Sequence, residues 1–152
     1  MNSNPHPSPL PSRGEGISGI AAKPLPVIDL DSRPFWEGCA REELLLQQCA
    51  GCGAYRHPPS PICRHCLSPQ HQWVAASGDG RVYSFVVVHH PFDQAWESEL
   101  PYVVAVIELA EGPFILSNVV GVPAEQVSVG MPVRVCYERA SEEIVLPKFR
   151  PT

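Results

Sequence analysis

The sequence predicts a mainly β protein: a short N-terminal helix, a small zinc ribbon clasped by four cysteines, and a C-terminal barrel of five strands. Two observations carry most of that prediction. Cys49-Ala-Gly-Cys52 is answered, ten residues later, by Cys63-Arg-His-Cys66. From Trp73 onward, runs of β-branched and aromatic residues are separated by turns rich in Gly, Pro, Asp and Ser, the pattern of a small all-β domain. A third observation places the helix. Phe35, Trp36, Cys39 and Ala40 fall at i, i+1, i+4 and i+5, one face of a short amphipathic helix.

Residues 1–26 carry Pro5, Pro7, Pro9, Pro11, Pro24 and Pro26 among Ser and Gly. Such a stretch buries too little apolar surface to offset the entropy of ordering, so a disordered tail is expected. Residues 27–43 form the helical segment: 27–30 extended, then Asp31-Ser32-Arg33-Pro34, with an Asp or Ser cap and a proline in the first turn. A helix this short does not stand alone. Its Phe35 and Trp36 face packs either on its own chain or on a partner. Cys39 lies outside the ligand spacing and reads as a small buried hydrophobe.

Residues 44–72 form the ribbon, with 44–48 as a strand leading into the first cysteine pair. Two C-x-x-C pairs folded over one another set Cys49, Cys52, Cys63 and Cys66 at the corners of a tetrahedron, as a structural Zn²⁺ requires at about 2.3 Å per Zn–S bond. Gly51 and Gly53 flank Cys52, and a knuckle that turns backbone N–H groups toward a thiolate needs residues tolerant of positive φ. Pro58, Pro59 and Pro61 lie between the pairs and suit a rigid loop better than a helix. Competing chemistries fit less well. A thioredoxin-like redox motif has one C-x-x-C beside a βαβ pattern, and disulfides need an exported chain, whereas the N-terminus has no apolar run behind a basic start. Zinc ranks ahead of iron for this spacing. Four thiolates fill the shell, so the metal is expected to be structural. Tyr55 and Ile62 are expected to cover its apolar side, with His57, His65 and His71 as surface polar residues.

Residues 73–152 form the barrel. After an extended 73–76, Gly78-Asp79-Gly80 marks a bulge or sharp bend. Strands follow at 81–88, 102–109, 114–120, 132–139 and 144–149, the second and third as a hairpin, and Pro123 to Val127 gives one helical turn between the third and fourth. Five strands with that inserted turn match the partly open Greek-key barrel called the OB-fold. The segment 89–101 is a long loop exposing Phe92 and Trp96. Cys136 is placed on the apolar side of its strand with Val133.

Charge narrows the function classes. Residues 44–78 contain no Asp or Glu, only Arg56 and Arg64 with three histidines, so the ribbon is mildly basic. From Asp79 to the end, ten acidic residues face five basic ones in a chain of net charge −5. An acidic barrel is a poor track for polyphosphate, because phosphate contacts supply most of nucleic-acid affinity. No segment approaches the roughly 18 consecutive apolar residues of a membrane span. A soluble, cytoplasmic protein is expected.

Taken together, the Phe-Trp helix, L-L-L-Q-Q-C-A-G-C-G, P-P-S-P-I-C-R-H-C, W-V-A-A-S-G-D-G-R-V-Y-S-F, P-Y-V-V-A-V-I-E-L, V-G-M-P-V-R-V and L-P-K-F-R-P resemble a bacterial and archaeal family. That family joins a rubredoxin-like zinc ribbon to an OB-fold and was long catalogued as an acyl-CoA-associated domain of unknown function. The resemblance covers about 31–151. It implies a non-catalytic accessory subunit that bridges or stabilises thiolase-like, acyltransferase or acyl-CoA hydratase partners, with acyl-CoA reached through the complex. It also implies Cys49, Cys52, Cys63 and Cys66 as zinc ligands. Two other readings stay open beside it. A single-stranded nucleic-acid binder would stack bases on Tyr83, Phe85 and Tyr102, against the barrel's negative charge. An enzyme would need an acid–base set, for which His89 and Asp93, four apart in the loop, are the nearest approach. At a partner surface, Phe35, Trp36, Phe92 and Trp96 are the expected contacts, since aromatic residues are enriched at interface hot spots.

Overall fold

The computed structural model describes residues 23–152, so the expected tail lies outside the described residues apart from its last positions, Lys23 to Pro26. The chain runs α1 (Arg33–Ala40), β1 (Leu45–Cys49), β2 (Tyr55–Arg56), β3 (His71–Ala75), β4 (Asp79–Val88), β5 (Tyr102–Leu109), β6 (Phe114–Val119), β7 (Pro132–Arg139) and β8 (Val145–Pro151). Short 3₁₀ turns occupy Gln94–Glu99 and Ala124–Gln126. Residues 27–30, expected to be extended, form no strand.

Helix α1 begins where the sequence places it, with Pro34 in its first turn. The capping chemistry differs from expectation. Ser32 makes no side-chain bond to the helix; its hydroxyl donates to Asp29 Oδ1 at 2.6 Å, and the same oxygen accepts the Ser32 N–H at 2.7 Å. Phe35 and Cys39 are buried and Trp36 packs at the edge of the core, whereas Ala40 is exposed. The helix lies on β1 and β8, between ribbon and barrel.

Two sheets follow. In the first, β1 pairs antiparallel with both β2 and β3. Strand β3 contains Trp73 to Ala75, so the ribbon sheet continues past residue 72. The second is a closed barrel in the order β4-β5-β6-β8-β7, antiparallel except for one parallel contact between β6 and β8. Closure rests on short contacts: β4 meets β7 over Asp79 to Arg81, and β6 meets β8 at the single pair Val119 and Phe149. The β5–β6 hairpin and the helical turn before β7 sit where the sequence reading puts them.

The bend at 78–80 is real and has a steric cause. Gly78 adopts φ +79°, and a Cβ there would lie 2.6 Å from Val135 Cγ1. Asp79 then opens β4 by accepting two bonds from Arg134 on β7, at 2.7 and 3.0 Å. A register shift between Val82 and Ser84 adds a bulge within β4.

One continuous apolar core serves both sheets. Leu44 and Leu46 from the ribbon side and Phe35 and Cys39 from α1 join Val82, Ile107, Leu109, Val133 and Phe149 of the barrel. Along β5 burial alternates strictly, as a half-buried strand requires. Cys136 departs from its expected place. It faces the opposite side of β7 from Val133 and is half-buried, because side chains alternate with period two and 133 and 136 differ by three.

Candidate metal centre and its surroundings

The four-cysteine site is made by two knuckles of the same design. Cys49 accepts the Gly53 N–H at 2.9 Å, and Cys63 accepts the Leu67 N–H at 2.9 Å, each through the carbonyl of the first cysteine of a pair. Each turn closes on a residue of positive φ, Gly53 at +75° and Leu67 at +60°. Glycine adopts that conformation without cost, and leucine does so only because the turn holds it. Cys49 enters from the end of β1, while Gln47, two residues earlier and 2% exposed, accepts the Ser60 N–H at 2.9 Å and ties the proline loop to the strand.

These knuckles bring the four Sγ atoms within 4.8 Å of one another. Cys49 and Cys66 approach to 3.5 Å and Cys52 and Cys63 to 3.6 Å. A tetrahedral ion with Zn–S bonds of about 2.3 Å spaces its sulfurs about 3.8 Å apart, so the quartet fits such an ion. Electrostatics point the same way. The N–H groups of Cys52 and Gly51 pull the Cys49 thiol down to about 6. Those of Cys66 and His65 hold Cys63 below the ordinary thiol range, the His65 N–H lying 3.4 Å from its sulfur. Cys52 benefits from the Ala54 N–H, yet the neighbouring sulfurs of Cys66 and Cys63, with burial, push it up to about 12. Four thiolates this close repel unless a cation lies among them. All four residues gathered here are those named from the sequence spacing.

The surroundings correct several expectations. Ile62 is 49% exposed and does not cover the site, whereas Tyr55 packs against the core. His65 and His71 are exposed, but His57 is half-buried, its ring 5.0 Å from that of Phe35, and burial pulls its pKa down to about 4. Arg56, counted in the sequence only as part of the ribbon's basic charge, is buried. Nothing in a lone arginine between Tyr and His distinguishes an inward from an outward side chain.

The four aromatics considered for partner contact divide. Phe35 is 5% exposed and has no surface left to offer, and Trp36 is half-buried against the core. Trp96 is half-buried in the 3₁₀ turn, 5.8 Å from the Tyr102 ring, with the Lys23 ammonium over its face. Phe92 is 96% exposed. That turn, expected to be plain loop, is capped by Asp93, whose carboxylate accepts the Ala95 N–H at 2.8 Å. Asp93 is therefore engaged in capping, with no hydrogen bond to His89 among the described residues. Of the three rings considered for base stacking, Tyr102 is partly covered by Trp96, Tyr83 meets Phe114 edge-on at 4.9 Å, and Phe85 is half-buried. Among the described residues no helix is long and apolar enough to cross a membrane.

Comparison with known proteins gives this architecture its relatives. Residues 36–72 match the family described as "ChsH2, rubredoxin-like zinc ribbon domain", and residues 73–138 match "ChsH2, C-terminal OB-fold domain". The chain is 43% identical over 131 residues to the probable enoyl-CoA hydratase alpha subunit of Thermomonospora curvata, covering 86% of this chain and 40% of that protein. It thus spans well under half of that relative. It is 37% identical over 102 residues to a DUF35 domain-containing scaffold protein of Methanocaldococcus jannaschii, covering 66% and 71% of the two chains. A solved structure described as an Ltp2-ChsH2(DUF35) aldolase superposes with a TM-score of 0.77 at 42% identity, over 84% of this chain and 98% of that one.

Proposed function

The chain belongs to the DUF35 family in its ChsH2-type pairing of zinc ribbon and OB-fold, and from that premise we propose that it is a non-catalytic accessory subunit of an acyl-CoA-processing enzyme. One observation carries the reading: it matches nearly the whole length of a chain from a structure described as an Ltp2-ChsH2(DUF35) aldolase. The hydratase and scaffold names of its relatives support the same class of complex. The partner in this proposal is a thiolase-like, acyltransferase or hydratase subunit, and acyl-CoA meets the chain within the complex.

The metal is one Zn²⁺ per chain, held by Cys49, Cys52, Cys63 and Cys66. Four thiolates complete a tetrahedral shell and leave no position for water or substrate, so the ion supplies folding energy and no Lewis-acid step. Thiolates kept for metal are suited to a reducing compartment, consistent with the cytoplasm. Phe92 is the foremost candidate for partner contact, with Trp96 beside it in sequence on the same capped loop.

Co-expression with an acyl-CoA-processing enzyme of that class from the same organism tests the proposal. A stable complex is expected, and Phe92→Ala should weaken it by about 2 kcal/mol if the ring is an anchor, while leaving the free chain's stability unchanged. Acyl-CoA turnover by the lone chain, or failure of the wild type to bind any such enzyme, would end the assignment.

A further inference from the structure

Between ribbon and barrel lies a cleft of about 940 Å³, within the range of small-molecule sites. Arg56, Arg64 and His65 line it from the ribbon, and Glu111, Phe114 and Leu116 from the barrel. Arg56 is 5% exposed, and its Nε, Nη1 and Nη2 atoms find no hydrogen-bond partner among the described residues. A guanidinium cannot shed its proton to escape burial, and an uncompensated buried charge is among the costliest things a fold can hold. Among the described residues, Glu111 is the only carboxylate lining the cleft. Its Oε1 accepts the Ser77 N–H at 2.7 Å, and its Oε2 is buried without a partner. No ion pair joins Glu111 to Arg56. One cleft therefore holds an idle planar donor and, apart from it, an idle acceptor.

We propose that this cleft binds a small phosphate ester, its phosphate on Arg56 and a hydroxyl or amide N–H of the same molecule on Glu111 Oε2. The guanidinium fork matches a phosphate in bidentate geometry. Arg64, exposed at the rim, adds a second positive charge to that of Arg56 against the single negative charge of Glu111, and the exposed His65 stands beside it. A phosphate has oxygens enough to accept from the Arg56 fork and from Arg64 together, which a single carboxylate has not. Phe114 and Leu116, 44% and 70% exposed, supply an apolar wall for the remainder of the ligand. This inference goes beyond the accessory-subunit reading and does not depend on it.

The test is an amide NMR titration of the metal-loaded chain of 152 residues at constant ionic strength, with inorganic phosphate and with glycerol 3-phosphate. Both probes should shift the amides of Arg56, Arg64 and Gly112, and the hydroxyl-bearing ester should bind the tighter. Arg56→Lys replaces the fork by a point charge and should weaken both by about tenfold. Glu111→Gln turns the idle acceptor into a donor and should erase the preference for the ester while keeping phosphate binding. Metal content and peak dispersion report whether each variant is folded. Absence of cleft shifts in the wild type, as expected if the cleft instead takes an acidic side chain of a partner protein, overturns the proposal. So does an unchanged response in Arg56→Lys, or equal shifts from chloride.

Discussion

The ribbon and the barrel are held by different means. In the barrel, Val82, Ile107, Leu109, Val133 and Phe149 are each no more than 2% exposed, and five strands close on themselves. The ribbon sheet has three strands of five, two and five residues. Its far end leaves Cys52, Cys66, Ile62 and Leu67 exposed. The apolar residues it does bury, Leu44 and Leu46, go into the common core at the barrel end. A segment this small cannot build a core of its own, so the knuckles depend on what the four sulfurs bind. In the proposed reading, ligation by four thiolates does for the ribbon what apolar burial does for the barrel.

The largest effect should come from breaking ligation. Structural zinc in small zinc-finger peptides contributes about 10 kcal/mol or more, so Cys52→Ser or exhaustive chelation should unfold the knuckles while β4 to β8 keep their amide dispersion. Elemental analysis alongside NMR checks both halves. Zinc absent from folded wild type would remove the premise. Loss of the barrel together with the knuckles would show that Phe35, Leu44 and Leu46 weld the two into one cooperative unit.

Breaking the barrel should have the converse signature. Phe149 is fully buried and stands in register with Val119 on β6 and Val135 on β7, at the closure of the barrel. Phe149→Ala should cost about 3–5 kcal/mol through the cavity it leaves, read as a lower denaturation midpoint. Metal stoichiometry at low temperature should remain one per chain.

What was legible in the sequence follows from the range of each signal. The cysteine quartet could be read because C-x-x-C spacing is local chemistry, and the strands 102–109 and 132–139 because alternation and turn residues lie within each segment. The 3₁₀ turn at Gln94–Glu99 was missed because its signal is a single Asp93 cap amid polar residues. The burial of Arg56 and the partial burial of His57 were not legible, since contacts such as that of Phe35 on His57 join residues distant in sequence. The fate of Phe35 and Trp36 was undecidable for the same reason: an amphipathic face does not name what covers it.

His57 offers a gentler way to sharpen the comparison, because it belongs to the ribbon yet is buried by the helix. Its pKa of about 4 lies below the unfolded value near 6.5, so between those values the unfolded chain binds the extra proton. The stability due to neutral His57 is complete above about pH 6.5 and is lost as pH falls toward 4. Lowering pH from 7.5 to 5.5 should cost about 1.4 kcal/mol through this group. Denaturant unfolding of wild type and His57→Gln at both pH values isolates it, because protonation of the ligand thiolates weakens both proteins alike. Parallel slopes in the two proteins would assign the pH dependence to the sulfurs alone.

The smallest effect is expected where the barrel begins, because an exposed ion pair and not burial joins the first residue of β4 to β7. Asp79 follows the Gly78 bend and accepts both bonds from Arg134, drawing the start of β4 onto β7. The Arg134 hydrogen bonds and charge hold the Asp79 carboxyl below its ordinary value. A carboxyl depressed in the folded state stabilises above its unfolded pKa of about 4, and that stabilisation disappears as pH falls through the folded value. Both side chains are solvent-exposed, so water and salt screen the pair. Asp79→Asn should therefore lower the midpoint only slightly at neutral pH and low salt. The difference from wild type should vanish in about 1 M salt and at pH values low enough to protonate Asp79. A large, salt-independent loss would mean that the carboxylate supports the Gly78 bend itself, and that its role is not limited to a surface ion pair between β4 and β7.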